Sequence, residues 1–79
     1  MEVPQNPPGV LPDGRVVLNV ASEEELRRLP GVGPARARAI VELRKRRGKF
    51  RSFSELLRVK GIGRKSLARM TPKMTLDPS

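Results

Sequence analysis

Apolar residues in this chain recur at helical spacing in short bursts separated by glycine. Leu26 and Leu29 make a first stripe, Pro30 stops it, and Gly31-Val32-Gly33-Pro34 follows. Ala37, Ile40 and Val41, with Leu43 or Arg44 at the margin, make a second stripe that ends at Gly48. The order then returns 30 positions on: Leu56, Leu57 and Val59 precede Gly61-Ile62-Gly63, and Leu67 and Met70 follow before Pro72. The register extends beyond the glycines, with Ser22, Glu25, Leu26 and Arg28 matched by Ser52, Glu55, Leu56 and Arg58. The chain therefore holds a duplicated unit of helix, tight reversal and helix. A unit this short cannot bury its apolar face alone, so the two must pack on each other. The predicted fold is all-α, with four or five short helices.

The polar positions mark where the helices begin. Ser22-Glu23-Glu24-Glu25 and Ser52-Phe53-Ser54-Glu55 both read as capping boxes, in which serine serves a backbone N–H and the glutamate three residues on reaches back. Helix 1 runs for roughly two turns from there. Its three acids suit the positive end of a helix dipole, and neighbours on a helix fan out instead of converging on a metal. The second helix is expected over about residues 34–47, with Pro34 at its first position and Gly33 as its N-cap. Phe50 is placed between the repeats as a plug.

Upstream, residues 1–14 hold Pro4, Pro7, Pro8 and Pro12 with little apolar material, which predicts a flexible, extended tether. Arg15-Val16-Val17-Leu18-Asn19-Val20 predicts an extended strap laid on the helices, with no strand partner evident. The compact part is thus expected at residues 15–76, with repeat 1 over about 22–47 and repeat 2 over about 52–76. Met74 and Leu76 pack back, and residues 77–79 form a frayed tail.

Composition narrows the chemistry. The 79 residues include no cysteine and no histidine, which removes disulfides, thiolate metal sites and the usual general base. No acids converge, so neither an enzyme nor a cofactor is expected, and no small-molecule substrate is implied. No apolar run is long enough to insert in a bilayer. Charge is the informative term: the net charge is +9, and sixteen of the 17 Lys and Arg fall between Arg27 and Lys73, against only Glu42 and Glu55. A basic segment of this density is the footprint of a polyanion binder, of which nucleic acid is the commonest target.

The two glycine reversals are where that charge meets structure. Glycine permits positive φ in a tight turn and lets another molecule approach the backbone closely. The free N–H groups of the following helical turn then form an anion site at the positive end of a helix. Arg64 and Lys65 break a local rule, because cations in a first helical turn oppose the dipole unless an anion binds there. The candidate binding residues are Gly31, Val32, Gly33, Ala35, Arg36 and Arg38 around the first reversal. Around the second they are Gly61, Ile62, Gly63, Arg64, Lys65 and Ser66, with Lys49 and Lys60 extending the surface. Adenine-reading Gln and Asn are absent after Asn19, Tyr and Trp are absent throughout, and Phe50 and Phe53 look internal. Base readout and base stacking therefore give way to the phosphate backbone.

Gly31-Val32-Gly33, Gly61-Ile62-Gly63, the linker Gly48-Lys49-Phe50-Arg51-Ser52 and the opening Leu18-Asn19-Val20-Ala21-Ser22 together resemble the tandem helix-hairpin-helix domain of the ComEA-type competence DNA receptors. The resemblance covers roughly residues 16–76. It implies binding of double-stranded DNA without sequence preference during natural transformation, with the hairpins clamping phosphates across the minor groove. Family members typically carry an N-terminal membrane anchor, which implies an extracytoplasmic setting where such an anchor precedes this segment and a cytoplasmic one otherwise. Proteins of a DNA-uptake machine are implied partners. The alternative is a protein-interaction module of an uptake or secretion apparatus that docks its basic face on an acidic partner.

Overall fold

Two serine caps set the frame of the computed structural model, which describes residues 9–78. The Ser22 hydroxyl accepts from the Glu25 N–H at 3.1 Å, and Glu25 Oε1 accepts from the Ser22 N–H at 2.9 Å. From this box starts α1 (Glu23–Leu26), a single turn that tightens through Leu29, whose N–H donates to the Leu26 carbonyl at 3.0 Å. After hairpin 1 comes α2 (Pro34–Arg47), N-capped by Gly33 with Pro34 at its first position and ended by Gly48 at φ +85°. These bounds coincide with those expected from the apolar stripe.

The second unit differs in its first helix. Phe53–Arg58 is a 3-10 helix, followed by hairpin 2, by α3 (Arg64–Met70) and by a further 3-10 turn at Thr71–Lys73. A 3-10 helix repeats every three residues, so Leu56 and Val59 share its inner side and Leu57 does not. Leu57, expected in the core, is accordingly 40% exposed.

Phe50 is fully buried with Leu26, Ile40, Leu56 and Met70, and so plugs the space between the repeats as expected. Phe53 and Leu67 pack against this cluster half-buried. Val32 and Ile62, at the tips of the hairpins, are each 5% exposed and anchor both hairpins in the same core.

The strap is a strand after all. Val16 and Val17 form β1 (Val16–Val17), which pairs in parallel with β2 (Met74–Thr75) in the register Val16 to Met74 and Val17 to Thr75. Leu18 and Asn19 extend the pairing through their N–H groups to the carbonyls of Thr75 and Leu76. The partner lies 58 residues away and is two residues long, below the length at which an alternating pattern declares itself. On its other side, Val16 forms an antiparallel bridge to Val10, and the Val17 N–H donates to the Gly9 carbonyl at 2.7 Å. The tether boundary drawn at Gly14 is therefore late: Gly9 and Val10 are buried and belong to the folded part, while residues 1–8 lie outside the described residues.

Asn19 joins three segments that are remote in sequence. Its Nδ2 donates to the Phe50 carbonyl at 2.9 Å and to Asp77 Oδ1 at 3.1 Å, and its Oδ1 accepts from the Phe50 N–H at 2.6 Å. This clasp draws Asp77, expected to fray, onto the strap and fixes the linker between the repeats. Ser79, the last residue of that expected tail, lies outside the described residues. Arg44 adds a further tie by donating to the Leu18 carbonyl at 2.8 Å, and half-burial pushes its guanidinium below the ordinary arginine value.

Candidate nucleic-acid interface

The two hairpins are built alike. In hairpin 1 the Val32 N–H donates to the Leu29 carbonyl at 3.1 Å, and in hairpin 2 the Ile62 N–H donates to the Val59 carbonyl at 3.0 Å. The first glycine of each pair makes the turn: Gly31 sits at φ +78° and Gly61 at φ +95°, in the left-handed region that side chains with a Cβ avoid. The second glycine has no such reason. Gly33 at φ −95° and Gly63 at φ −104° are extended, and a Cβ on either would meet nothing within 4 Å.

What lies beside Gly33 and Gly63 is a row of unused donors. The Ala37 N–H reaches back to the Gly33 carbonyl and the Leu67 N–H to the Gly63 carbonyl, both at 2.9 Å, which leaves the amides before them outside the helical ladder. Ala35 and Arg36 supply these amides at the start of α2, because Pro34 has none; Arg64, Lys65 and Ser66 supply them at the start of α3. None of the five bonds to another backbone or side-chain group among the described residues. Gly33, Ala35, Gly63, Arg64 and Lys65 are exposed and Ser66 is half-buried. Val32 and Ile62 turn their side chains inward, so only their backbone faces a ligand.

Arg36 takes a position that sequence alone does not indicate. Its Nη1 donates to the Gly31 carbonyl at 2.8 Å, and its guanidinium fills the space a Cβ on Gly61 would need. One side chain from repeat 1 thus bonds to its own hairpin and lies against the other. Gly61 is glycine for its φ, and its bare Cα also lets the Arg36 guanidinium lie against it. Lys60 completes the junction: it lines a groove of about 420 Å³ together with Gly33, Pro34, Ala35, Arg36 and Ala39. The groove has a wall of small apolar groups and a cation from each repeat.

Two other candidates sit elsewhere. Arg38 is exposed and lies 3.7 Å from Glu42, one turn along α2, a loose pair that solvent screens. Lys49 is remote from the hairpins, in a cavity with Arg46, Arg47, Arg51 and Glu55 at the other end of α2. Hairpin and far-end cations are indistinguishable by composition, and only the length of α2 separates them. Among the described residues no group of three or more acidic, cysteine or histidine residues could hold a metal, and no helix is long and apolar enough to cross a membrane.

Comparison with known proteins agrees with this geometry. The model of the helix-hairpin-helix motif matches residues 12–75. The chain belongs to the helix-hairpin-helix family. Within it, the chain is 38% identical over 61 residues to ComE operon protein 1 of Bacillus subtilis, covering 77% of this chain and 30% of that protein. It is 49% identical over 49 residues to endonuclease/exonuclease/phosphatase family domain-containing protein 1 of Homo sapiens, covering 62% of this chain and 9% of that protein. An uncharacterized protein of Haemophilus influenzae is 38% identical over 61 residues, with 76% of this chain and 54% of that protein covered. The chain thus spans a third or less of the first two relatives and about half of the third. The shared part is the helix-hairpin-helix segment.

Proposed function

We propose that this helix-hairpin-helix domain binds double-stranded DNA without sequence preference, by holding backbone phosphates at the two hairpins. The observation that carries this is the pair Gly33 and Gly63. Each is extended backbone with open space where a Cβ would stand, so neither φ nor packing demands glycine there, whereas a phosphate approaching the adjacent amides does. Hairpin 2 offers the amides of Arg64, Lys65 and Ser66 with the charges of Arg64 and Lys65. Hairpin 1 offers those of Ala35 and Arg36, with Lys60 across the groove. Charge-assisted bonds of this kind are short and strong, and they carry no base information.

The domain acts as a binding module, as the helix-hairpin-helix motif suggests. The similarity to ComE operon protein 1 supports a place in DNA uptake, with double-stranded DNA as the partner and proteins of the uptake machine beside it. The human relative shares only 9% of its length with this chain, so its name supports no enzymatic role here.

The deciding experiment is fluorescence anisotropy with a labelled random-sequence duplex and its single strand at several salt concentrations. With four to six phosphate contacts, duplex affinity falls with a log–log slope of about −4 to −5. Gly63→Val is expected to abolish most of that affinity while leaving the melting temperature near wild type, since the new side chain meets no protein atom. Unchanged affinity in a folded Gly63→Val protein would refute the hairpin model. Failure of wild type to bind duplex at low salt would refute DNA binding and leave the basic face to an acidic protein.

A further inference from the structure

At the end of α2 remote from hairpin 1, Arg46, Arg47, Lys49 and Arg51 surround a cavity of about 290 Å³ in which Glu55 is the one acid. The 14 residues of α2 separate it from Gly33. At a rise of 1.5 Å per residue that is about 20 Å, too far for the cavity to share a phosphate with hairpin 1. Arg46 and Arg47 have a structural reason to be there, because cations in the last turn suit the negative end of a helix dipole. Lys49 and Arg51 do not. They follow Gly48, which ends the helix, and add like charge to a cavity that already holds two cations.

Glu55 does not neutralise the four. Its Oε1 accepts from Arg47 Nε at 2.6 Å, and its Oε2 accepts from the Arg51 N–H at 2.7 Å and the Ser52 N–H at 3.0 Å. Both oxygens are engaged within the fold, and what they do for the cavity is hold Arg47 in place. Among the described residues, the side chains of Arg46, Lys49 and Arg51 have no hydrogen bond and no ion pair. Four cations that converge on one carboxylate already taken by Arg47 leave three like charges to repel one another in the free protein, and an anion in the cavity turns that repulsion into attraction.

The geometry points to a second phosphate site, in which Arg46, Lys49 and Arg51 hold a nucleic-acid phosphodiester beside an Arg47 fixed by Glu55. It rests on the proposed DNA binding for the class of its ligand and on nothing in the hairpins for its geometry. The phosphodiester comes from one of two sources, the flank of the duplex held at the hairpins or a separate duplex. In the first case the domain covers more of one duplex; in the second it ties two together.

The test compares two charge-matched double variants of the full chain. Lys49→Gln with Arg51→Gln empties the cavity of its unexplained cations, and Arg69→Gln with Lys73→Gln removes two exposed cations from the end of α3 and the turn after it. On a 30-base-pair random-sequence duplex, the first variant is expected to flatten the log–log salt slope by about 2, one phosphate per lost cation, and the second by much less. Melting temperatures of both are followed to show that the fold persists. Equal slopes in the two variants would overturn the site, because net charge alone would then explain the effect. The source is read by mixing donor-labelled and acceptor-labelled duplexes with wild-type protein. Energy transfer lost in the Lys49/Arg51 variant assigns the site to a second duplex, and no transfer with wild type assigns it to the flank of the first. Gly63→Val separates this inference from the hairpin proposal, since its loss of affinity reports on the hairpins alone.

Discussion

Hairpin 1 and hairpin 2 have the same backbone turn and unequal equipment. Pro34 removes a donor from the first, and Arg36, the cation nearest its amides, is committed to the Gly31 carbonyl and to the space over Gly61. The second keeps the Arg64 amide in place of that proline, and its Arg64 and Lys65 side chains are exposed with no ion pair among the described residues. The two copies of the motif thus present different sets of free donors and cations around the same turn, three amides at hairpin 2 against two at hairpin 1. Equal sequence motifs need not be equal sites, because what surrounds each glycine decides what its amides are free to do.

The sharpest way to break this contrast is to spoil each hairpin in turn. Gly63→Val is expected to weaken duplex binding about 100-fold, as charge-assisted bonds worth about 1.5–3 kcal/mol are lost. Gly33→Val is expected to cost about tenfold, since hairpin 1 has one donor fewer and its first-turn cation, Arg36, is held on the Gly31 carbonyl. Anisotropy titrations at one salt concentration give both numbers, and a reversed order would remove the contrast. On stability the order is set by the first glycines. Gly31→Ala carries the left-handed penalty of about 1–2 kcal/mol. Gly61→Ala carries the same penalty and also pushes the exposed Arg36 tip off its Gly31 bond, so its melting temperature is expected to fall slightly further, as differential scanning calorimetry would show.

A smaller and opposite effect should follow from giving hairpin 1 the donor it lacks. Pro34→Ala adds one amide at the start of α2 and is expected to raise duplex affinity about threefold, a hydrogen bond being worth roughly 0.5–1.5 kcal/mol net. Weaker binding would mean that the fixed backbone of proline matters more than the donor. The smallest effect distinguishes the two capping boxes. Glu55 accepts from the Arg51 and Ser52 N–H groups and from Arg47, whereas among the described residues Glu25 accepts from the Ser22 N–H alone. The Arg51 N–H bond, then those of Ser52 and Arg47, hold the Glu55 carboxyl below its ordinary 4.5. Its contribution to stability is therefore present above that value and lost as pH falls through the lower folded one. Glu55→Gln should flatten the fall in melting temperature as pH drops below about 4.5, which thermal melts over an acid pH series would test.

The parts of the fold visible in sequence are those that local chemistry dictates. The repeat, both capping boxes, the span of α2 and the glycine at its end all follow from residues within one or two turns of each other. The strap's partner did not, because β2 is two residues long and stands at the far end of the chain. Leu57 was misassigned because three close apolar positions do not reveal a 3-10 helix, whose tighter turn leaves the middle one outside. Among the binding candidates, the hairpin glycines and the first-turn cations occupy positions their spacing required. Arg36 and Lys49 did not: one reaches over to the other repeat, the other lies past the end of a long helix, and neither direction is written in a linear charge count. Asn19 passed unnoticed as a clasp because its partners, Phe50 and Asp77, are 31 and 58 residues away.

The small sheet also governs how this domain can hang from a longer polypeptide. Gly9 lies beside Val17 on one side of β1, and Leu76 lies beside Asn19 on the other, and because the first pairing is antiparallel and the second parallel, both exits leave from the same end of the sheet. With neighbouring strands about 4.8 Å apart, the two exits are roughly 10 Å from each other. A domain so mounted behaves as a pendant on a single point of suspension. Tension between its ends peels the strap before it reaches the hairpins, and a short bridge across that gap would allow the chain to be circularly permuted without rebuilding the helices.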